Sequence, residues 1–226
     1  MTDQLAPLDA IVVEPKVTAK AAVIWLHGLG DSGAGFAPIV PELALPDDSG
    51  IRFVFPHAPE QPVTINGGYI MRAWYDIKSM DLHDRADMTG VLVSEQQVRH
   101  LIEEQIAKGI PSERIVLAGF SQGGVMSLFS GLRFPKPLAG IMALSCYLPG
   151  AEQLPQDVSE ANRMTAILQH HGEHDDVVPL IAGEMANSSL KAAGYQTQWQ
   201  TYPMGHSVIP NQLRDIRQWL MAKLLN

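Results

Sequence analysis

The apolar run Ile115-Val116-Leu117-Ala118 passes straight into Gly119-Phe120-Ser121-Gln122-Gly123-Gly124 and then into Val125-Met126-Ser127-Leu128-Phe129, a segment of helical character. A serine set in a strand, tight turn and helix has a physical purpose. The turn is strained, the flanking glycines let strand and helix approach closely, and the hydroxyl is held up and exposed. The helix beginning just after it aims backbone N–H groups and the positive end of its dipole at developing negative charge, with the Gln122 N–H as first oxyanion donor. That arrangement suits nucleophilic attack of Ser121 on a carbonyl. Glycine-serine-glycine turns also occur for purely structural reasons, but here strand and helix lie on the correct sides of the motif.

A serine hydroxyl is a weak nucleophile at neutral pH and needs a base that a third group orients. Of the eight histidines, His206 is the best placed, in a loop between a strand pattern at 197–202 and the last helix. Nucleophile, acid, then a histidine near the C-terminus is the chain order that goes with an elbow serine. For the acid, the strand Ala166-Ile167-Leu168-Gln169 opens into His170-His171-Gly172-Glu173-His174-Asp175-Asp176-Val177-Val178-Pro179. Sites in α/β sheets gather at such a strand end. Asp175 is preferred, although spacing hardly separates it from Asp176 and Glu173, which otherwise serve as turn formers or helix caps. The histidines and carboxylates of this segment are also metal-ligand types, but no helical ligand spacing or thiolate accompanies them, so no metal is assigned. Near the N-terminus, His27-Gly28-Leu29-Gly30-Asp31-Ser32-Gly33 supplies a second oxyanion donor, the Leu29 N–H. That turn lacks a P-loop lysine and the full dinucleotide-binding glycine spacing, which argues against a nucleotide.

These groups need a scaffold. Apolar, β-rich runs at 21–26, 51–55, 115–118, 140–144 and 166–169 read as buried strands. At 91–108, Val91, Val98, Leu101, Ile102 and Ile106 share one helical face while Glu95, Arg99 and Glu103 fall elsewhere. Further helices are predicted at 180–193 and at 212–225, the latter with Leu213, Ile216, Leu220 and Leu224 inward. Strands alternating with helices imply an α/β fold with a mostly parallel central sheet and helices on both faces. No repeat or linker divides the chain, so residues 1–226 are read as a single domain. The stretch from Pro56 to about Thr89 has weak periodicity and reads as a long substrate-binding loop carrying Ile70, Trp74 and Tyr75. Its apolar residues are free to face a substrate, a second subunit in a weak homodimer, or the core.

Composition excludes several classes. Over 226 residues, 46% are hydrophobic and 18% charged, an ordinary globular balance. No apolar run approaches the roughly 20 residues of a membrane span, and the N-terminus shows no secretory signal pattern, so a cytoplasmic protein is expected. A formal net charge of −8 disfavours nucleic acid and unaided docking on anionic lipid. The single cysteine, Cys146, cannot pair internally and sits in an apolar run, which reads as structural burial.

In Leu26-His27-Gly28-Leu29-Gly30-Asp31-Ser32-Gly33, Ala73-Trp74-Tyr75-Asp76, Gly119-Phe120-Ser121-Gln122-Gly123-Gly124, His171-Gly172 through Asp175 to Val178-Pro179, and Met204-Gly205-His206, the chain resembles the bacterial carboxylesterase and acyl-protein thioesterase family of α/β-hydrolases, also called phospholipase/carboxylesterase. The likeness covers nearly the whole chain. It implies a catalytic triad of Ser121, Asp175 and His206, oxyanion donors at Leu29 and Gln122, no cofactor, and an acyl pocket near Ile70, Trp74, Tyr147 and Val177. The implied substrates are short-to-medium acyl esters or thioesters, with S-acylated proteins and lysophospholipids as alternatives on the same site. A protein that binds acyl ligands without turning them over is the alternative of a different class. The family often carries a proline after its acid, where this chain has Asp176.

Overall fold

The computed structural model describes residues 7–81, 84–151, 154 and 158–225. Its main strands are β1 (Ala10–Val13), β2 (Ala21–Leu26), β3 (Ile51–Pro56), β6 (Ile115–Phe120), β7 (Gly140–Leu144), β8 (Ile167–Gly172) and β9 (Thr197–Tyr202), with β4 (Glu60–Val63) and β5 (Tyr69–Arg72) lying between β3 and β6. The seven main strands form one sheet in the order β1-β3-β2-β6-β7-β8-β9. Every neighbouring pair is parallel except β1 with β3. The helices are α1 (Gly33–Phe36), α2 (Ile39–Glu42), α3 (Met88–Ala107), α4 (Gln122–Arg133), α5 (Leu180–Ala192) and α6 (Pro210–Leu224).

β2 shows why a central strand is apolar at every position. Side chains alternate across a sheet, so Ala22, Ile24 and Leu26 enter one core while Ala21, Val23 and Trp25 enter the other. The first core is closed by α3, α4 and α5 through residues such as Val98, Leu128 and Ala186. The second is closed by α6 through Ile216, Trp219 and Leu220, with Phe36 and Ile39 packed at its margin. Both faces of the central strands are therefore dry, as parallel pairing requires.

The α/β-hydrolase architecture read from the sequence is the one observed. Two features escaped that reading. β1 is short, half-exposed and an edge strand, so it carries no apolar periodicity. Within 56–89 the chain builds a hairpin, β4 with β5, whose register places Pro62 opposite Ile70. Exposed on both faces for most of its length, the hairpin has neither a buried run nor clean alternation to betray it. The turn uses Gly67 and Gly68 at φ of 66° and 79°, a region that suits glycine. α3 begins earlier than its apolar face, capped by Asp87, which accepts from the Gly90 N–H. Glu95 lies at the edge of the buried face of α3 and pairs with Arg99.

Truncating Ile24, wholly buried in the first core, leaves a cavity under α3 and α4. Ile24→Ala should lower unfolding free energy by roughly 2–5 kcal/mol, read as a shifted urea midpoint at unchanged slope.

Candidate active site

Parallel strands send their C-terminal ends to one edge, so the segments after β2, β6, β8 and β9 converge there. At the end of β6, Ser121 has φ 54° and ψ −118°, the left-handed half of conformational space that costs a serine energy. Its N–H donates to the Leu144 carbonyl at the end of β7, 2.8 Å away. The next residue starts α4. Side chains are excluded around it. A Cβ on Gly119 would fall 2.0 Å from the Gly123 carbonyl oxygen, and one on Gly123 would fall 2.1 Å from that of Leu26. The turn after β2 lies against the serine as well, since a Cβ on Gly28 would sit 3.4 Å from the Ser121 Cβ.

Burial separates the three candidate acids. Asp175 is 7% exposed, whereas Glu173 and Asp176 stand in solvent, and Glu173 is occupied by the Thr201 hydroxyl at 2.9 Å. Asp175 Oδ2 accepts from His206 Nδ1 at 2.7 Å. Oδ1 accepts from the N–H groups of Val177 and Val178 at 3.0 and 2.8 Å. Burial pushes this carboxyl's pKa up, but the His206 hydrogen bond and the two backbone donors outweigh it, and the net shift is downward. Asp175 is thus held ionised with the imidazole fixed against it. With Nδ1 spent on Asp175, Nε2 is the nitrogen left to act as base. The imidazole packs at a tilt against the ring of Phe120, the residue before Ser121, 4.7 Å between centroids.

Among the described residues, neither the Leu29 nor the Gln122 N–H donates to a carbonyl. The peptide bearing the Leu29 N–H is held from its other end. His27 is buried, and its Nε2 accepts from the Ala58 N–H at 3.0 Å. Its proton is therefore on Nδ1, which donates to the Gly28 carbonyl at 2.7 Å. Burial lowers the His27 pKa, in keeping with this neutral form. The Gly28 carbonyl and the Leu29 N–H share one peptide plane, so holding the oxygen orients the donor. The Gln122 side chain is a feature that sequence reasoning missed. Its oxygen accepts from the Trp74 N–H at 2.8 Å and its amide donates to the Tyr75 carbonyl at 2.7 Å, tying the 56–89 excursion to the turn at Ser121. A long polar residue after a serine is the only hint the sequence carried.

The four residues assigned to the acyl pocket differ widely in burial. Trp74 is 1% exposed, donating from its indole to the His27 carbonyl at 2.9 Å, so it lies beneath the turn after β2. The Tyr147 hydroxyl pairs with that of Tyr75 at 3.0 Å. Arg85 links Tyr147 to Val177, lying 5.6 Å from the Tyr147 ring and donating to the Val177 carbonyl at 3.3 Å. Val177 is 46% exposed, and Ile70, on the outer hairpin, is 62% exposed. None of the four lines the cavity of about 460 Å³ that adjoins His206 and Phe120.

His170 and His171, being consecutive on β8, point to opposite faces. The first packs on Tyr202 and the second bonds through Nε2 to the Val178 carbonyl at 2.8 Å. Among the described residues no three His, Cys, Asp or Glu side chains are grouped to hold a metal ion. Cys146 is buried, and burial pushes its thiol pKa up.

The chain can be compared with known proteins on this footing. The phospholipase/carboxylesterase family model matches residues 8–224. An acyl-protein thioesterase 1 of Gibberella zeae is 39% identical over 213 residues, covering 90% of this chain and 91% of the relative. One of Neurospora crassa is 41% identical over 231 residues, covering 97% and 94%. The crystal structure of Arabidopsis thaliana SOBER1 superposes with a TM-score of 0.86 at 35% identity, covering 91% of this chain and all of that one.

Two outcomes follow from the polar contacts. Gln122→Ala leaves the Trp74 N–H and the Tyr75 carbonyl without their partner and should cost roughly 2–4 kcal/mol of stability in denaturant melts. His170 is pushed down to about 4 by burial, partly offset by Asp215. The unfolded imidazole, near 6.5, takes its proton first, so stability is full above that pH and is lost as pH falls toward 4. The loss attributable to His170 is roughly 3 kcal/mol. In melts run across this window, His170→Gln should flatten the slope.

Proposed function

The chain belongs to the phospholipase/carboxylesterase family, and from that premise we propose that it is a serine carboxylesterase cleaving short-to-medium acyl esters or thioesters through Ser121, His206 and Asp175. The observation that carries this reading is the 2.7 Å hydrogen bond from His206 to a buried Asp175 beside an elbow serine. His206 Nε2 takes the Ser121 proton as Oγ attacks the acyl carbonyl. The N–H groups of Leu29 and Gln122 receive the oxyanion, each contributing on the order of 3 kcal/mol. The bond to the leaving alcohol or thiol then breaks, and His206 returns the proton to it. Water repeats the cycle on the acyl-enzyme and frees the acid and the serine. The cycle as written needs only these groups and water.

The relatives named acyl-protein thioesterase support S-acylated proteins as one substrate class for the same site. No helix among the described residues is long and apolar enough to cross a membrane. We place the reaction in the cytoplasm and read the described residues as one catalytic unit.

Hydrolysis of p-nitrophenyl esters of graded chain length, together with labelling by a fluorophosphonate probe, tests the assignment. Both should vanish in Ser121→Ala. Asp175→Asn should cost on the order of 10⁴ in kcat, while Asp176→Asn should change it little. A greater loss in Asp176→Asn would show the acid to be misassigned. Acyl-ligand binding by a native protein that neither labels nor turns over would establish the binding-protein alternative instead.

A further inference from the structure

The cavity of about 460 Å³ beside His206 is walled by Phe36, Ile39, Phe120 and Leu213, and the carboxylates of Asp31 and Glu42 also line it. Resting on the triad proposed above, its position has a chemical meaning. His206 must hand its proton to the leaving oxygen or sulfur, so the group attached to that atom passes within hydrogen-bond reach of the imidazole. The cavity shares that imidazole. None of the residues assigned to the acyl side lines it, which gives the two halves of a substrate separate places.

The lining favours a particular charge. Phe36 and Phe120 stand 5.6 Å apart between centroids, and Phe120 in turn faces His206. Aromatic rings attract cations, above all alkylammonium groups that shed water easily. Asp31 is seated deliberately. Its Oδ1 accepts from the Ser32 N–H at 2.7 Å, and a Cβ on Gly35 would fall 2.0 Å from that oxygen, so glycine at 35 leaves room for the carboxylate. Neither Asp31 nor Glu42 forms an ion pair among the described residues, and the lining contains no lysine or arginine. A formal charge of −8 over the chain adds a long-range attraction of the same sign.

We propose that this cavity is a leaving-group subsite selective for cationic amino alcohols, so that among esters of one acid the enzyme favours the one whose alcohol carries an ammonium group. The aromatic pair and the two carboxylates hold the ammonium while the ester oxygen lies against His206.

The test compares butyrylcholine with its carbon isostere, in which tert-butyl replaces trimethylammonium, each kcat/KM being divided by the ester's hydroxide-catalysed rate to remove intrinsic reactivity. The corrected ratio should favour the choline ester by roughly tenfold at low salt, fall about threefold in Glu42→Gln and again in Asp31→Asn, and shrink as ionic strength rises. A second pair carries the same two groups at the end of the acyl chain of an ethyl ester. It should show no such dependence on Glu42. A ratio near unity that Glu42→Gln leaves unchanged would overturn the subsite. A Glu42-dependent gain in the acyl-side pair would also overturn it, making the cavity the acyl pocket. If none of the esters turns over and no fluorophosphonate label appears, it is the serine-hydrolase reading that fails, and the subsite with it.

Discussion

The geometry of the whole site hangs on one backbone contact. The turn after β6 presses against the end of β2 so closely that Gly123 has the Leu26 carbonyl where a Cβ would be, and Gly119 has the Gly123 carbonyl in the same position. Only glycine permits that approach. It forces the residue between them, Ser121, to a positive φ, which lifts the hydroxyl out of the sheet. It also starts α4 immediately after the serine, with helix N–H groups directed to the same side. Parallel pairing of β2 with β6 brings the glycine-rich turn after β2 alongside. Strain at Ser121 is thereby stored in a region the two cores over-determine.

Around that contact the polar groups are buried and paired, which makes the site stiff. The Gln122 side chain holds both Trp74 and Tyr75. Trp74 holds the His27 carbonyl, and His27 holds both Ala58 and the Gly28 carbonyl. The excursion between β3 and α3 thus braces the Gly28–Leu29 peptide through a chain of hydrogen bonds. In a low-dielectric interior each unmade bond in this chain is costly, so the loop and the turn are held in one arrangement.

The same interior treats its ionisable groups in opposite ways. Asp175 stays charged under cover because three donors surround it, while His27, His170 and His171 are pushed toward neutrality by burial. His206 is half-buried against Phe120 and bonded to the Asp175 carboxylate.

Much of this was legible in the residues themselves. The run into Gly119-Phe120-Ser121-Gln122-Gly123 announced an elbow because close approach and positive φ have one residue-level solution. The near-continuous apolar strands announced a sheet covered on both faces. Order along the chain pointed to Asp175 and His206, but distance along a chain carries no information about burial, so Asp175, Asp176 and Glu173 could not be separated until the fold buried one and exposed the others. The hairpin at 60–72 was invisible for a related reason, being exposed on most of its surface. The Gln122 clamp, the pinned Gly28 carbonyl and the cavity beside His206 join residues tens of positions apart. Only the tertiary structure decides such contacts, because the free energy that selects them arises when distant segments exclude water together.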